Sequence, residues 1–383
     1  MDLFLNEEQK AIVEEIKNFS RKELNDGITQ DYVSGCFPIE KWKKCAAMKI
    51  MALPFPEGYS GCNADILTTA VSLKALSYGC KDAGLVHAIA TQILCGLQIL
   101  HFGSEEQKEK YLPGICNGDI IAAQAITEPN SGSDAFAMQT KAVKSNGHYV
   151  LNGTKTFITN GPIADIAIVF AVTSQMKKIL GGISCFIAEK DFKGFTRSKA
   201  LDKMGLRTLQ NGELVFENCE IPELNLLGKE GHGTNIFNES MEYERILYPA
   251  IHLGTMERVF ETSYNYSKER KAFSQSIGKF QSISNKLVDM KVNIELGNLI
   301  LYKSAVLKNQ GKRANLETSI GKLFISESLK KTCLEAVQIH GGYGFMTEYE
   351  IEKDLRDSIA STIYSGTSEL QYNIISRLLG MKR

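Results

Sequence analysis

Residues Asn146–Gly161, with the sequence NGHYVLNGTKTFITNG, mark a change in the local pattern of the chain. Three Asn-Gly pairs, beginning at positions 146, 152 and 160, bracket two runs rich in aromatic and β-branched residues, His148–Leu151 and Thr156–Thr159. Asn-Gly pairs beside such runs favour tight hairpin turns, because both residue types tolerate positive φ angles. This stretch therefore predicts antiparallel strands.

The strand pattern continues beyond this stretch. Further turn pairs at 181–182 and 211–212 separate further apolar runs. These runs are Ile166–Val172, Ile183–Ala188 and Glu213–Glu217. Short strands at this spacing predict one small antiparallel β-domain, which we place at residues 121–225.

Helical patterns lie on both sides of the β-domain. Asn6 and Gln9 form a predicted capping box, followed by apolar residues at helical spacing. We also predict a short helix at Glu105–Tyr111 that ends at Pro113-Gly114. The other predicted helices are Ile66–Tyr78, Leu85–Phe102, Ile236–Arg270, Ile283–Asn309, Glu317–Gly341, Glu348–Ser361 and Ser368–Leu379. The order helix, strand, helix predicts an α+β chain with domains at 1–120, 121–225 and 226–383.

The composition argues against several classes of partner. The 383 residues are 43% hydrophobic and 23% charged, and 44 Lys and Arg balance 44 Asp and Glu. This balance provides no overall field that would attract nucleic acid or an anionic membrane. The first residues lack the basic and apolar blocks of a signal peptide, and we expect no apolar stretch of the ~20 residues needed to span a bilayer.

Cysteine and histidine spacing gives no sign of a metal site. The nine cysteines are irregularly placed without a CxxC motif, and the six histidines are scattered. Free thiols are typical of a reducing compartment. We therefore expect a cytoplasmic protein without a metal ion.

A polar loop opens the predicted β-domain. Its sequence, QAITEPNSGSD at 124–134, contains Thr127, Ser131, Gly132 and Ser133. Hydroxyl groups and free backbone N–H groups in such a loop suit a polar heterocycle or a phosphate. Alone, the segment is more typical of an irregular turn whose hydroxyl groups bond within the protein.

Other segments also suit a flat, phosphate-bearing ligand. Phe157 and Thr159 alternate onto one face of a predicted strand, where they could pack against a ring, although an ordinary hairpin has the same pattern. Arg270, at the end of a long helix, suits a pyrophosphate. Gly341-Gly342 allows close approach of a backbone to a ligand, or simply ends a helix.

Taken together, these segments resemble the acyl-CoA dehydrogenase family over essentially the whole chain, from Asn6 to Leu379. Their order and separation are far more specific than any single motif. The resemblance is carried by Ile126–Pro129 (ITEP) with Gly132–Asp134 (GSD), Asn152–Lys155 (NGTK) with Ile158–Gly161 (ITNG), Lys203–Arg207 (KMGLR), Glu269–Phe273 (ERKAF), Gln338 with Gly341-Gly342, and Gly366–Gln371 (GTSELQ).

The resemblance implies a fold, a cofactor and an assembly. The implied fold has an N-terminal helical domain, a central β-domain and a C-terminal four-helix bundle, with FAD between the last two. FAD contacts are implied for Ile126, Thr127, Ser133, Phe157, Thr159, Thr367 and Glu369. The family is usually a homotetramer, and the residues implied to reach the FAD of a neighbouring subunit are Arg270, Phe273, Gln338 and Gly342.

The catalytic base of the family is displaced in this sequence. Oxidation of a thioester needs a desolvated carboxylate that takes the proton next to the carbonyl. In much of the family this Glu precedes the C-terminal Gly-Thr pair, but here that residue is Ser365. Either the activity is lost, or the base lies elsewhere in the chain.

A second position for the base exists in a minority branch, exemplified by isovaleryl-CoA dehydrogenase, which supplies Glu from a helix of the C-terminal domain. The segment SMEYERIL at 240–247 matches that pattern and implies Glu244 as base, with Glu242 on the opposite side of the helix. A carboxylate on the helix surface is the competing interpretation. Pro249 would either kink this helix or divide it in two.

Ser365 keeps one implied role in spite of its side chain. Its backbone N–H, together with a ribityl hydroxyl of FAD, would polarise the substrate carbonyl, where negative charge builds up. Tyr243, Arg245 and Tyr364 lie beside these residues in sequence, and we expect them in the wall of the substrate pocket.

Over the whole chain, the resemblance is greatest to members that oxidise proline tethered to a carrier protein in natural-product pathways. That likeness implies a prolyl thioester as substrate, with a short branched-chain acyl-CoA as the alternative. A third interpretation, suggested by Ser365, is a flavin-binding partner without catalysis. The sequence leaves open which residue contacts the ring nitrogen, and whether oxygen or an electron-transfer protein reoxidises the flavin.

Overall fold

The computed structural model describes residues 5–176 and 181–381. Residues 1–4, part of the segment in which we expected no signal peptide, lie outside these ranges. Residues 382–383, the end of the predicted C-terminal domain, also lie outside them. The helices described are α1 (Glu7–Glu23), α2 (Ile28–Ser34), α3 (Ile39–Ala47), α4 (Ile66–Gly79), α5 (Ala83–Phe102), α6 (Glu105–Cys116), α7 (Gly233–Glu269), α8 (Gln281–Asn309), α9 (Asn315–His340), α10 (Ile351–Ile359) and α11 (Ser368–Leu378). The strands described are β1 (Ala122–Ala125), β2 (Lys141–Ser145), β3 (His148–Thr159), β4 (Ile166–Val172), β5 (Ile183–Glu189), β6 (Phe195–Arg197), β7 (Asn211–Pro222), β8 (Leu226–Leu227), β9 (Lys271–Ala272) and β10 (Gln275–Ser276).

The N-terminal helices follow most of the predicted pattern. The side chain of Asn6 accepts a hydrogen bond from the N–H of Gln9 at 2.8 Å, and Gln9 Oε1 accepts one from the N–H of Asn6 at 3.1 Å. The predicted capping box therefore begins α1. The predicted end of α6 is wrong, because the helix continues through Pro113 to Cys116. A proline removes one backbone hydrogen bond, and the following residues continue the helix.

Helix α5 corrects the expectation that no apolar stretch could span a bilayer. By length and composition alone, α5 is apolar enough to cross a membrane. In this fold, however, 94% of its most apolar 18-residue segment is buried inside the protein. It packs against α6, α7 and β1. Helix α5 is thus part of the hydrophobic core, and its composition is that of a helix surrounded by protein.

The central sheet is mixed, and differs in this respect from the predicted antiparallel domain. Its strand order is β6-β7-β3-β2-β4-β5-β8, and β1 also pairs with β4. Most neighbours are antiparallel, but β4 pairs in parallel with β1 and, through one residue pair, with β2. Turn signals could not indicate these two pairings, because the strands involved are not joined by hairpins.

The Asn-Gly pairs of the opening stretch have different roles. The pair at 146–147 forms the predicted hairpin turn between β2 and β3. The pair at 152–153 lies inside β3, where the register with β7 shifts, so the two predicted runs form one bulged strand. The pair at 160–161 leads from β3 into a short 3-10 turn, and the pair at 211–212 begins β7.

The C-terminal helices surround α7 and α9. Helix α7 packs along α4, α8 and α9, while α10 and α11 pack against α9. Helix α7 runs unbroken with Pro249 inside it, so a division into two helices is wrong. Helix α10 is shorter than predicted, because 3-10 turns at Thr347–Tyr349 and Ala360–Thr362 occupy both flanks. The succession of helical, strand and helical regions confirms the predicted fold class.

Candidate active site

The loop between α10 and α11 brings Ser365 against α7. Ser365 and Gly366 have φ angles of 59° and 86°, so the chain turns sharply before α11. The side chain of Thr367 then caps α11 by accepting a hydrogen bond from the N–H of Leu370 at 3.2 Å. A serine in the left-handed region costs about 1–3 kcal/mol, so surrounding contacts must hold it there.

Two side chains hold the backbone carbonyl of this serine. Arg245 Nε donates to Ser365 O at 3.2 Å, and Gln371 Nε2 donates to the same oxygen at 3.0 Å. Gln371 Nε2 also lies 3.1 Å from Gly366 O. Arg245 belongs to α7 and Gln371 to α11, and both are buried. The loop is therefore fixed to two helices at residue 365.

Glu244 extends from α7 to the same serine. Ser365 Oγ donates a hydrogen bond to Glu244 Oε1 at 2.5 Å. Burial raises the pKa of the Glu244 carboxyl above its ordinary value, while the Ser365 hydrogen bond and the cations Arg245 and Lys322 act in the opposite direction. A desolvated carboxylate is a stronger base than one in water. Glu244 is half-buried, and its carboxylate points to the loop of Ser365.

The neighbours of Glu244 on α7 face other surroundings. Glu242 forms an ion pair with Lys308 at 3.0 Å and accepts the N–H of Ala314 at 3.4 Å, so it joins α7 to the turn between α8 and α9. The ring centroid of Tyr243 lies 4.5 Å from Lys308 Nζ and 5.3 Å from that of His101. A contact between Tyr243 and substrate stays a prediction.

Tyr364 forms a hydrogen-bonded group with two buried histidines. His87 Nδ1 lies 2.7 Å from Ala83 O, and His87 Nε2 lies 2.8 Å from the Tyr364 hydroxyl. His252 Nε2 lies 2.6 Å from the same hydroxyl. Burial lowers the pKa of both histidines, which makes both rings neutral. A carbonyl only accepts, so His87 carries its proton on Nδ1, Tyr364 donates to His87, and His252 donates to Tyr364.

The side chains that support this group were not predicted from the sequence. The hydroxyl groups of Tyr248 and Thr91 lie 2.9 Å apart, and the Tyr248 and Tyr364 rings are 5.2 Å apart between centroids. Lys322 is buried close to Glu244, and within the described ranges its Nζ has no hydrogen-bond partner. Burial lowers the pKa of Lys322 to about 8. The available signal was a polar residue within an apolar helical run, which does not identify a site.

A second group of predicted residues lies at the loop after β1, where a buried ion pair shapes the backbone. Lys155 Nζ donates to Glu128 Oε1 at 2.8 Å and to Ile126 O at 2.9 Å. Glu128 also accepts the N–H groups of residues 139 and 140. Burial lowers the pKa of Lys155 to about 8, although Glu128 opposes the shift. The N–H of Thr156 donates to Thr127 O at 2.8 Å, which fixes the loop to β3.

Phe157 and Thr159 lie on the open face of β3. The register between β3 and β7 shifts between Lys155 and Ile158, and Phe157 has a φ angle of 58°. At this bulge Phe157 is 67% exposed, and Thr159 is half-buried with its hydroxyl 3.0 Å from Asn211 Nδ2. An exposed aromatic ring beside a hydroxyl fits one face of a flat heterocycle such as a flavin.

The remaining predicted cofactor residues lie at two surfaces. Ile126 and Thr127 are half-buried and Ser133 is exposed, while Thr367 and Glu369 begin α11. A separate surface, at the ends of α7 and α9, contains the exposed residues Arg270, Phe273, Gln338 and Gly342. The guanidinium of Arg270 there lies 5.5 Å from the ring centroid of Tyr343. Across residues 5–176 and 181–381, no group of three potential metal ligands occurs.

Three family descriptions together match nearly the whole chain. They are the N-terminal domain of acyl-CoA dehydrogenase at residues 6–119, the middle domain at 123–219 and the C-terminal domain at 231–380. Because these descriptions follow one another in the same order as the helical, strand and helical regions, sequence and fold agree.

Known proteins similar to this chain include dehydrogenases of two kinds. An acyl-CoA dehydrogenase of Bacillus subtilis is 40% identical, covering 98% of this chain and 99% of the relative. An L-prolyl-(peptidyl-carrier protein) dehydrogenase of Pseudomonas fluorescens is 38% identical over 90% of each chain.

Solved structures agree with these sequence matches. The prolyl acyl carrier protein oxidase AnaB has a TM-score of 0.96 and 44% identity, covering 98% of this chain and all of that one. The structure described as PigA with FAD and proline has a TM-score of 0.97 and 36% identity over the full length of both chains. The chain therefore belongs to the acyl-CoA dehydrogenase family.

Proposed function

We propose that this protein is an FAD-dependent enzyme that oxidises a prolyl group held as a thioester on a carrier protein. The observation that carries the proposal is the inward-facing carboxylate of Glu244, bonded to the serine that replaces the usual base. The similarity to the prolyl acyl carrier protein oxidase AnaB and to PigA with FAD and proline supports the prolyl group.

Glu244 acts on the acyl group as general base. Its desolvated carboxylate takes the proton from the α-carbon of the prolyl group. FAD, when bound, supplies the acceptor for the hydride that leaves the neighbouring carbon. The two C–H bonds break, and a carbon–carbon double bond forms between these atoms, which gives a dehydroprolyl thioester. The proton stays on Glu244 until it exchanges with solvent.

Ser365 polarises the thioester carbonyl through its backbone N–H. Within the described residues, this N–H donates to no protein acceptor, so it is available to a ligand. Negative charge grows on the carbonyl oxygen as the α-proton leaves, and a fixed donor stabilises that charge. Arg245 adds a buried positive charge next to Glu244, and Tyr364 supplies a wall of the pocket.

The proposal also assigns the residues that bind FAD. Phe157 and Thr159 contact the flavin ring, while Ile126, Thr127 and Ser133 present backbone and hydroxyl groups beside it. The buried pair Lys155–Glu128 fixes the shape of that loop, because Lys155 binds both the Glu128 carboxylate and the Ile126 carbonyl. From α11, Thr367 and Glu369 complete the set.

A homotetramer is part of the proposal, in which a second copy completes each FAD site through Arg270, Phe273, Gln338 and Gly342. The exposure of Phe273, at 91%, is unusual for a phenylalanine and supports burial against another chain. Helix α8 presents a further exposed apolar stripe, defined by Val288, Val292, Leu296 and Leu299.

We place the protein in the cytoplasm, in accord with nine unpaired cysteines, and keep the domain limits at residues 120 and 225.

A short branched-chain acyl-CoA is the second candidate substrate. The 40% identity to an acyl-CoA dehydrogenase favours it, and both substrates carry the acyl group on the same pantetheine arm. The two differ beyond the arm, where one has a protein and the other has adenosine phosphates.

A comparison of three substrates, each mixed separately with the protein, tests the proposal. Purified holoprotein is mixed without oxygen with prolyl-carrier protein, with alanyl-loaded carrier protein or with isovaleryl-CoA, and bleaching of the flavin is followed. We expect rapid bleaching by the prolyl carrier alone. Bleaching by isovaleryl-CoA alone would contradict the prolyl assignment. Bleaching by no substrate, with FAD firmly bound, would instead favour a catalytically inactive flavin-binding partner.

A further inference from the structure

The two carboxylate oxygens of Glu244 have different surroundings. Oε1 accepts the Ser365 hydroxyl at 2.5 Å. Within the described ranges, Oε2 receives no hydrogen bond, so it keeps its lone pairs for another partner. A general base needs one oxygen that is free and a carboxyl group that does not rotate. The contact with Ser365 meets both needs at once.

Ser365 is itself held firmly enough to orient another side chain. Its carbonyl oxygen accepts hydrogen bonds from Arg245 on α7 and Gln371 on α11, which fix the peptide on two sides. The preceding residue, Tyr364, is fixed by His87 and His252. A donor that cannot move restricts the acceptor to one position, so the direction of the Glu244 carboxyl follows from the loop.

We infer that the Ser365 hydroxyl is a positioning residue, which holds one oxygen of Glu244 and leaves the other free to take the proton. This inference rests on the proposed function, because it assumes that Glu244 is the base. The serine that replaces the usual glutamate thus takes part in the reaction through its side chain as well as through its backbone N–H. The hydroxyl proton stays on Ser365 throughout, since it is donated to the carboxylate and not transferred.

The charge around Glu244 makes the role of the hydroxyl measurable. Burial raises the pKa of this carboxyl, and the Ser365 hydrogen bond is the largest of the opposing influences. A hydrogen bond donated to the ionised form stabilises that form, so its removal raises the pKa further. The titratable and charged groups that face Glu244 are Cys95 on α5, Arg245 and Tyr248 on α7, Lys322 on α9 and Tyr364 in the loop.

The substitution Ser365→Ala tests the inference, because alanine keeps the backbone N–H, the Cβ atom and the same strain at positive φ. The rate of anaerobic flavin reduction by prolyl-carrier protein is measured against pH. We expect the acidic limb of the profile to move up by about 1–2 pH units, the effect of one hydrogen bond to a charged group. Ser365→Cys, with a weaker donor, gives a smaller shift in the same direction.

Ser365→Gly distinguishes the hydroxyl from the shape of the loop. Glycine relieves the positive φ angle but lacks the hydroxyl, so we expect the same shift as for alanine. If the pH profile of Ser365→Gly matches that of the wild type, Ser365 affects only the conformation of the loop. The control is Ser368→Ala, which removes a hydroxyl that donates to a different carboxylate, Glu327, at 2.6 Å. Its pH profile should match that of the wild type.

A direct titration separates this inference from the proposed function. Infrared difference spectra between each serine form and its Glu244→Gln counterpart report protonation of the Glu244 carboxyl without turnover. A higher midpoint in Ser365→Ala supports the inference, and superimposed titrations overturn it. If Glu244→Gln is inactive while these titrations coincide, the base stands and the role of Ser365 fails. An active Glu244→Gln enzyme overturns the base and, with it, the positioning role.

Discussion

Glu242 and Glu244, two residues apart on α7, have separate contacts, and substitution can distinguish their roles. Glu244→Gln removes the proposed base while keeping the size of the side chain, so we expect flavin reduction to slow by about 10²–10⁴-fold with little loss of stability. Glu242→Gln weakens the pair with Lys308, so we expect a loss of about 1–3 kcal/mol in the free energy of unfolding. Stopped-flow reduction and urea unfolding measure the two effects, and exchanged outcomes would reverse the assignment.

Lys322 gives a prediction about pH. Its pKa in the folded chain is about 8, against an ordinary value of 10.5. Below about pH 8, Lys322 is protonated in both the folded and the unfolded chain. The burial of its charge then lowers the free energy of unfolding by the full amount. Between pH 8 and 10.5 the unfolded chain holds a proton that the folded chain has released, so the wild type gains stability from this residue as pH rises.

Replacement by an apolar side chain therefore has a pH-dependent benefit. We expect Lys322→Met to stabilise the protein by about 2–3 kcal/mol at pH 7, with a gain that diminishes from pH 8 to 10.5. Urea unfolding of both proteins at pH 7, 8.5 and 10 measures the difference. A gain that is independent of pH would show that Lys322 keeps its proton in the folded chain throughout this window.

At the scale of elements, α7 approaches α4 at a glycine. A Cβ atom on Gly254 would lie 2.2 Å from Lys74 O and 2.9 Å from the backbone nitrogen of Tyr78. We therefore expect Gly254→Ala to separate the helices and to destabilise the protein by about 1–3 kcal/mol. Gly321→Ala is the matched control, since its Cβ would meet Ile300 at an ordinary 3.6 Å. It should be neutral or stabilising by up to ~1 kcal/mol in thermal unfolding.

The sequence predicts elements better than it predicts their contacts. The long helices and the hairpin at 146–147 follow from local patterns, which nearby residues determine. The bulge at 152–153 has the same Asn-Gly pair as a hairpin turn, and only its pairing with β7 distinguishes the two. Pro113 and Pro249 lie inside helices because packing outweighs the lost hydrogen bond.

The candidate site shows the same limit. Glu244 and Ser365 could be named from motifs, yet their hydrogen bond joins residues 121 positions apart. The contact between His87 and Tyr364 spans 277 positions. Such pairs depend on how α5, α7 and the loop before α11 pack together, and no local pattern contains that information.

At the scale of the whole molecule, assembly is the open prediction. The stripe on α8 exposes apolar side chains at helical spacing, which a monomer would leave in water. We expect the double substitution Val292→Glu and Leu299→Glu to dissociate the oligomer in sedimentation velocity and to release FAD. Leu224→Glu, at an isolated position that is 86% exposed, should leave both properties unchanged. A wild-type monomer that retains FAD would contradict the proposed assembly.

The tautomers of the rings around Tyr364 determine whether these rings can relay a proton. The row of rings begins at a main-chain oxygen, Ala83 O, and ends at His252 Nδ1, a buried lone pair that has no partner within the described ranges. Among the described residues, neither end continues to another side chain, and no hydrogen bond joins the row to Glu244, so the row forms no proton relay from Glu244. If Glu244 is the base, as proposed, we therefore expect its proton to leave on the side where the acyl group enters, once the product has moved.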